Sequence, residues 1–351
     1  MGSLDNKGLV LVTGANGFIG ARTVETFLSA GYSVRGTVRS LSSSEPLLSA
    51  LKYYGSRFSL LEVPDITVPG AFDEALRGVN YVAHIAAPVS FLFTDPEPVL
   101  KAAIEGTTGI LESAIREPSV RHFVLMSSIV AILSPKEGPH VFTEDDWNTT
   151  AEDVVAAKGK EAGGFAIYQA SKTAAERALW KFRDERKPHF AVTAANPQES
   201  FVAGPSLLPY PSRDKMTESL WMIYDVLSGK PPDEAGLPTA AHSYVDVRDV
   251  ARFVQYSVEH PAETDGERYI LAAANGPPQS VADILRDSTL PVERRAAIKE
   301  GTPGRGYLPG YVWDKGSGRG VDNSKARRLL GAFIPWEKTV VDTARSFEHL
   351  L

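Results

Sequence analysis

The chain has no cysteine among its 351 residues. That absence removes disulfides, thiolate nucleophiles and cysteine-based zinc or iron–sulfur sites together. Histidine is sparse: its seven copies are scattered, with no pair four residues apart on one helix face, so no metal site is expected. A basic excess is also missing. The 37 Lys and Arg face 43 Asp and Glu, for a net charge of -6, which argues against nucleic acid as the main partner because phosphate binding needs a basic surface. No apolar run approaches the roughly 18 residues of a membrane span, and no charged region leads into an apolar leader-like stretch. A membrane is therefore not an expected partner, and a cytoplasmic location is the default expectation. The apolar share of 43% and charged share of 23% are those of an ordinary globular chain.

The first half alternates β-branched runs with helical patterns. Strands are expected at 9–13, 33–38, 58–61, 81–85, 122–127 and 191–195, with a long helix over 96–116. Such alternation predicts an α/β fold: right-handed crossovers building a Rossmann-type doubly wound parallel sheet. After Pro197 the rhythm breaks into Pro- and Gly-rich stretches around one expected helix, 215–228. A strand running into a helix is expected over 244–259, and another strand over 268–271. The division that follows is a nucleotide-binding unit of 1–196 with 244–272, and a smaller, discontinuous substrate-binding lobe of 197–243 with 273–351.

Between the first strand and first helix lies Thr13-Gly14-Ala15-Asn16-Gly17-Phe18-Ile19-Gly20. Glycines there permit a tight turn and let backbone N–H groups approach a pyrophosphate at the helix N-terminus, so Thr13, Gly14, Asn16, Gly17, Phe18, Ile19 and Gly20 are expected to contact the cofactor. The second strand ends at Arg39-Ser40, with Arg39 standing 19 positions beyond Gly20 where an NAD site places an acid for the ribose hydroxyl, and no Asp or Glu occurs between Glu25 and Glu45. An arginine can instead pair with a 2′-phosphate and stack on adenine, so NADP(H) is the expected cofactor. Asp65 and Ile66, after the third strand, are candidates for the adenine edge.

Tyr168-Gln169-Ala170-Ser171-Lys172 puts a phenol and an ammonium one helical turn apart. A phenol with a pKa near 10 is a poor proton shuttle at neutral pH, and an adjacent cation favours its ionised form. Ser127 and Ser128 follow the fifth strand at the sheet edge where parallel α/β folds bind ligands, so Ser128 can share a substrate oxygen with Tyr168. A second Tyr-x-x-x-Lys, Tyr311 with Lys315, lies in a Gly/Pro-rich stretch and is read as chance. Phe91, Phe93, Ile129, Val130, Gln198, Glu199, Tyr210, Trp221 and Tyr224 are candidates for the substrate pocket.

With these residues in place the chain resembles the extended short-chain dehydrogenases/reductases, in the branch of dihydroflavonol reductases and fungal ketone and aldehyde reductases. The similarity rests on the glycine loop, on His84-Ile85-Ala86-Ala87-Pro88 and on Ser128, Tyr168 and Lys172. It extends to Phe142–Asn148, Tyr244–Ala251 and Val321–Ala326. The resemblance implies an NADPH-dependent reductase of a small carbonyl compound, reversible as an alcohol dehydrogenase. Tyr168 would protonate the carbonyl oxygen, Ser128 polarise it, and Lys172 bind the nicotinamide ribose and lower the tyrosine pKa. Ala86, Ala87 and Pro88 would line the cofactor and Pro197 would lie beside the nicotinamide. An epimerase or dehydratase of the same fold, or a non-catalytic NADP-binding regulator, are the competing readings. Two departures stand out: Ser43 occupies the position where yeast members carry a phosphate-binding lysine, and Gln198–Phe201 lengthens the loop after Asn196-Pro197 by two residues. No reading of the sequence decides the oligomeric state.

Overall fold

The computed structural model describes residues 7–90, 92–198, 202–235, 243–305, 308–310 and 320–351. Its strands are β1 (Leu9–Thr13), β2 (Ser33–Val38), β3 (Phe58–Glu62), β4 (Tyr81–His84), β5 (His122–Met126), β6 (Ala191–Pro197), β7 (Val202–Ala203), β8 (Ser243–Asp246), β9 (Glu267–Leu271) and β10 (Ala274–Asn275). The helices that matter for the site are α1 (Phe18–Ser29), α2 (Glu45–Leu51), α3 (Asp73–Leu76), α4 (Pro96–Arg116), α5 (Thr149–Lys158), α6 (Gly164–Arg186), α7 (Trp221–Leu227) and α8 (Val247–Glu259).

The run Val10-Leu11-Val12 shows why the chain layers as it does. Successive strand side chains point to opposite faces, yet all three are wholly buried. Val10 and Val12 pack in the cluster that holds Phe27 and Leu28 of α1 and Phe253 and Val254 of α8. Leu11 packs on the other side with Ile110 and Leu111 of α4 and Leu179 and Phe182 of α6. A strand apolar on both faces belongs in the middle of a helix-covered parallel sheet. The sheet has that form: seven strands in the order β3-β2-β1-β4-β5-β6-β9, every neighbouring pair parallel. The order reverses between β1 and β4, and such a switch point opens a crevice at the carboxyl ends of the strands.

Local signals set the long helices. Asp95 caps α4 by accepting from the Glu97 N–H at 3.2 Å, with Pro96 in the first turn and Arg116 in the last, matching side-chain charge to the helix dipole. Strands β10, β8 and β7 form a second, small sheet. Trp336, buried at the start of the helix Trp336–Arg345, lies 4.4 Å from the Tyr244 ring of β8.

The expected helix over 215–228 is corrected. Only Trp221–Leu227 is α-helical, preceded by tight turns at Arg213–Lys215 and Glu218–Leu220, with Met216 and Thr217 extended between them. The cause is a tie across the turn: Arg213 pairs with buried Asp225 at 2.5 Å, and the Trp221 indole donates to the Arg213 carbonyl at 3.0 Å. Among the described residues no helix is long and apolar enough to cross a membrane, and no group of three metal-ligating side chains converges.

Candidate active site

A cleft of about 950 Å³ runs along the carboxyl ends of the strands, at the upper end of the range for ligand pockets. Each candidate on its sheet wall follows a strand. Gly14, Asn16, Gly17, Phe18, Ile19 and Gly20 come after β1, Arg39 and Ser40 after β2, and Asp65 and Ile66 after β3. Ala86, Ala87 and Pro88 come after β4, Ser127 and Ser128 after β5, and Pro197 ends β6. Tyr168 and Lys172 reach the same cleft from α6.

The loop after β1 admits only glycine at two positions. Gly14 has φ +66°, and a Cβ there would stand 3.1 Å from the Ala86 Cα; a Cβ on Gly20 would stand 2.1 Å from the Gly14 carbonyl oxygen. With Gly17 as its N-cap, α1 has no side-chain cap, so its first N–H groups are free for an anion. A pyrophosphate fits this cradle. Arg39 is exposed and lines the cleft beside Ser40 and Ser43.

Thr13 is corrected from cofactor contact to support. It is fully buried and absent from the cleft wall. Its hydroxyl accepts from the Ile85 and Ala86 N–H groups, each at 2.9 Å, and lies 2.9 Å from His84 Nδ1. Burial, aided by the Lys172 charge, pushes His84 down to about 3, so the neutral ring can accept the threonine proton. The loops after β1 and β4 are thereby tied together.

Lys172 is buried, and burial lowers its ammonium to about 8 against the opposing pull of Glu176. Its Nζ donates to the Met126 carbonyl at 3.3 Å. Ser128 is likewise buried, and its hydroxyl oxygen accepts from the Val130 N–H at 3.3 Å. The hydroxyl proton is left for another acceptor.

The proposed substrate residues separate. Tyr210 and Gln198 line the cleft; burial pushes the Tyr210 phenol up while hydrogen bonds to Ser206 and the Thr217 backbone oppose it. Ile129 and Val130 do not line it. They are wholly buried, Ile129 in a cluster with Ile132, Ile270 and Ala272, because the tight turn after Ser128 sends them into the interior. Phe93 packs instead against Val99, Val155 and Ile167. Trp221 and Tyr224 turn into the main core, where Arg213 covers the indole at 4.3 Å and the Phe347 ring meets Tyr224 at 5.8 Å. Phe91, Glu199 and the Tyr311/Lys315 pair lie outside the described residues. Sequence reasoning missed the opposite wall, including Lys215, Thr217 and Glu218, which a short extended stretch brings to the cleft without any motif.

The family model of the NAD dependent epimerase/dehydratase family matches residues 10–272. Ketoreductase azaE of Aspergillus niger is 34% identical over 339 residues, 94% of each chain. NADPH-dependent methylglyoxal reductase GRE2 of Saccharomyces cerevisiae is 33% identical over 350 residues, 95% of this chain and 96% of its own. The crystal structure of yeast methylglyoxal/isovaleraldehyde reductase Gre2 complexed with NADPH superposes with a TM-score of 0.82 at 32% identity, over 97% of this chain and 98% of that one.

Proposed function

The chain belongs to the NAD dependent epimerase/dehydratase family, the extended short-chain dehydrogenases/reductases, and from that premise we propose that it is an NADPH-dependent reductase of a ketone or aldehyde on a small organic molecule. The observation that carries the reading is the convergence of Ser128, Tyr168 and Lys172 on the cleft that the glycine loop and Arg39 line further along. The names of the similar reductases support it. NADPH, when bound, supplies the hydride. Tyr168 gives its proton to the carbonyl oxygen, and Ser128 donates a hydrogen bond to the same atom and keeps its own proton. Lys172 holds a positive charge beside the phenol, so the phenolate left behind is stabilised as it forms. The lobe of 197–243 and 273–351 is assigned to the substrate. A panel of ketones and aldehydes assayed for NADPH oxidation tests the activity; no turnover of any carbonyl compound sinks it.

A pH dependence follows from Lys172. It is charged below about 8 and loses its proton above, so kcat/KM for reduction is expected to fall as pH rises through that value. A profile flat into the alkaline range would remove Lys172 from this role.

Gln198 bears on the substrate. It is 2% exposed, and its side-chain Oε1 is buried in the cleft wall with no hydrogen-bond partner among the described residues. An unsatisfied buried acceptor costs about 1–3 kcal/mol; a substrate hydroxyl would satisfy it. Gln198→Leu is therefore expected to raise Tm while lowering kcat/KM about tenfold for a hydroxyketone, with little change for the matched plain ketone. Equal effects on both ketones would show that Gln198 does not read the hydroxyl.

A further inference from the structure

We propose that Glu176 is a positioning residue for this reaction: from behind Lys172 its buried carboxylate sets the charge balance of the Tyr168–Lys172 pair, and through Ser127 and Asn196 it holds the backbone that carries Ser128. The inference rests on the assignment of Tyr168 and Lys172 made above.

Tyr168, Lys172 and Glu176 follow one another at four-residue intervals along α6, so all three lie along one stripe of the helix. Glu176 is wholly buried. Its Oε1 accepts from Arg268 Nε on β9 at 2.5 Å and from the Trp180 indole at 3.3 Å. Its Oε2 accepts from Asn196 Nδ2 on β6 at 2.7 Å and from the Ser127 hydroxyl. Three of the four donors are N–H groups that can only donate, so both carboxyl oxygens serve as acceptors there. Asn196 Nδ2 also donates to the Ser128 carbonyl at 3.1 Å. The carboxylate thus reaches both serines after β5, one directly and one through Asn196.

The electrostatics follow from the same geometry. Around Lys172 stand Tyr168 and Glu176 on its own helix and the neutral His84 on β4, while Arg268 on β9 stands behind the carboxylate. Two buried cations, Lys172 and Arg268, share one anion. Arg268 is pinned in turn by the Glu144 and Asp146 carbonyls, each accepting from its Nη1 at 2.6 Å, and by the Trp147 ring 3.9 Å away. Removing the anion makes the region more positive, and a positive field favours loss of a proton from ammonium and phenol alike. Whichever of the two ionises first, the first proton leaves the pair more easily. Removing the Arg268 charge has the opposite sign.

The test is a set of kcat/KM profiles against pH for carbonyl reduction, with NADPH affinity measured separately by fluorescence titration as a check on folding. Glu176→Gln is expected to move the alkaline limb down by about one pH unit, and Glu176→Asp, which keeps the charge, to leave the limb in place even if the rate falls. Arg268→Met is expected to move it up. Should Glu176→Gln not fold, Arg268→Met decides alone, because there the carboxylate keeps Ser127, Asn196 and Trp180 as donors. Limbs that stay at the wild-type pH, with rates lowered evenly at every pH, would overturn the proposal and leave Glu176 a structural group. If instead Tyr168→Phe kept wild-type kcat/KM, the failure would lie in the proton-donor assignment and not in Glu176.

Discussion

Tyr168→Phe is expected to lower kcat for carbonyl reduction by about 10²- to 10⁴-fold, the range for loss of a positioned general acid, while NADPH affinity changes by less than about threefold. The substitution removes one oxygen from a nearly buried ring and keeps the packing, so the fold and the glycine cradle are untouched. Ser128 still donates to the substrate oxygen, and Lys172 still carries its charge, so some rate survives. Stopped-flow rates of NADPH oxidation give the chemical step, and cofactor fluorescence gives the affinity. A variant within tenfold of wild type would mean that the proton comes from elsewhere, and a variant that no longer binds NADPH would mean that the phenol holds cofactor instead of moving a proton.

Arg39→Asp is expected to raise the KM for NADPH by about 10- to 100-fold and to change the KM for NADH by less than about threefold. Arg39 is exposed at the cleft rim and forms no ion pair among the described residues, so its charge is available to a ligand. A hydrogen bond to a charged group contributes about 1.5–3 kcal/mol, and the substitution replaces that attraction with repulsion of a 2′-phosphate that NADH lacks. Ser40 and Ser43 stay on the rim as neutral donors. Steady-state kinetics with both cofactors decide it: equal rises in the two KM values would mean that Arg39 supports the loop and not the phosphate.

The parts of this site that sequence could show are those held by short-range spacing. Gly14, Gly17 and Gly20 lie within one turn of chain, Arg39 ends a strand beside them, and Tyr168 and Lys172 share a helical turn; each pattern carries its own geometry. The positions of the first six strands along the chain were readable from their β-branched runs, whereas their order across the sheet is a finding of the structure. What spacing does not show is which way a side chain faces at an irregular segment. Ile129 and Val130 follow Ser128 directly, yet a tight turn sends them inward. Trp221 and Tyr224 sit in a segment whose turns depend on Arg213 meeting Asp225. The two-residue strands β7 and β10 are too short to leave a period. Glu176 and Arg268 are 92 positions apart, so their pairing was invisible, although a glutamate four residues beyond Lys172 was a usable hint.

The apolar cluster beneath α1 does not stop at the sheet. It passes without interruption from Phe27 and Val10 through Val250 and Val281 to Trp336 and Phe347, so the first helix and the last share one interior. Separate melting of the segments around the first helix and of those around the last would have to tear that interior across. The described portions of the chain should therefore lose their structure in one cooperative step, and any ligand held at the cleft lends its binding free energy to all of it, about 2.7 kcal/mol when present at a hundred times its Kd. Resistance to unfolding, and with it to proteases that need an unfolded chain, becomes a readout of how much reduced or oxidised dinucleotide surrounds the protein.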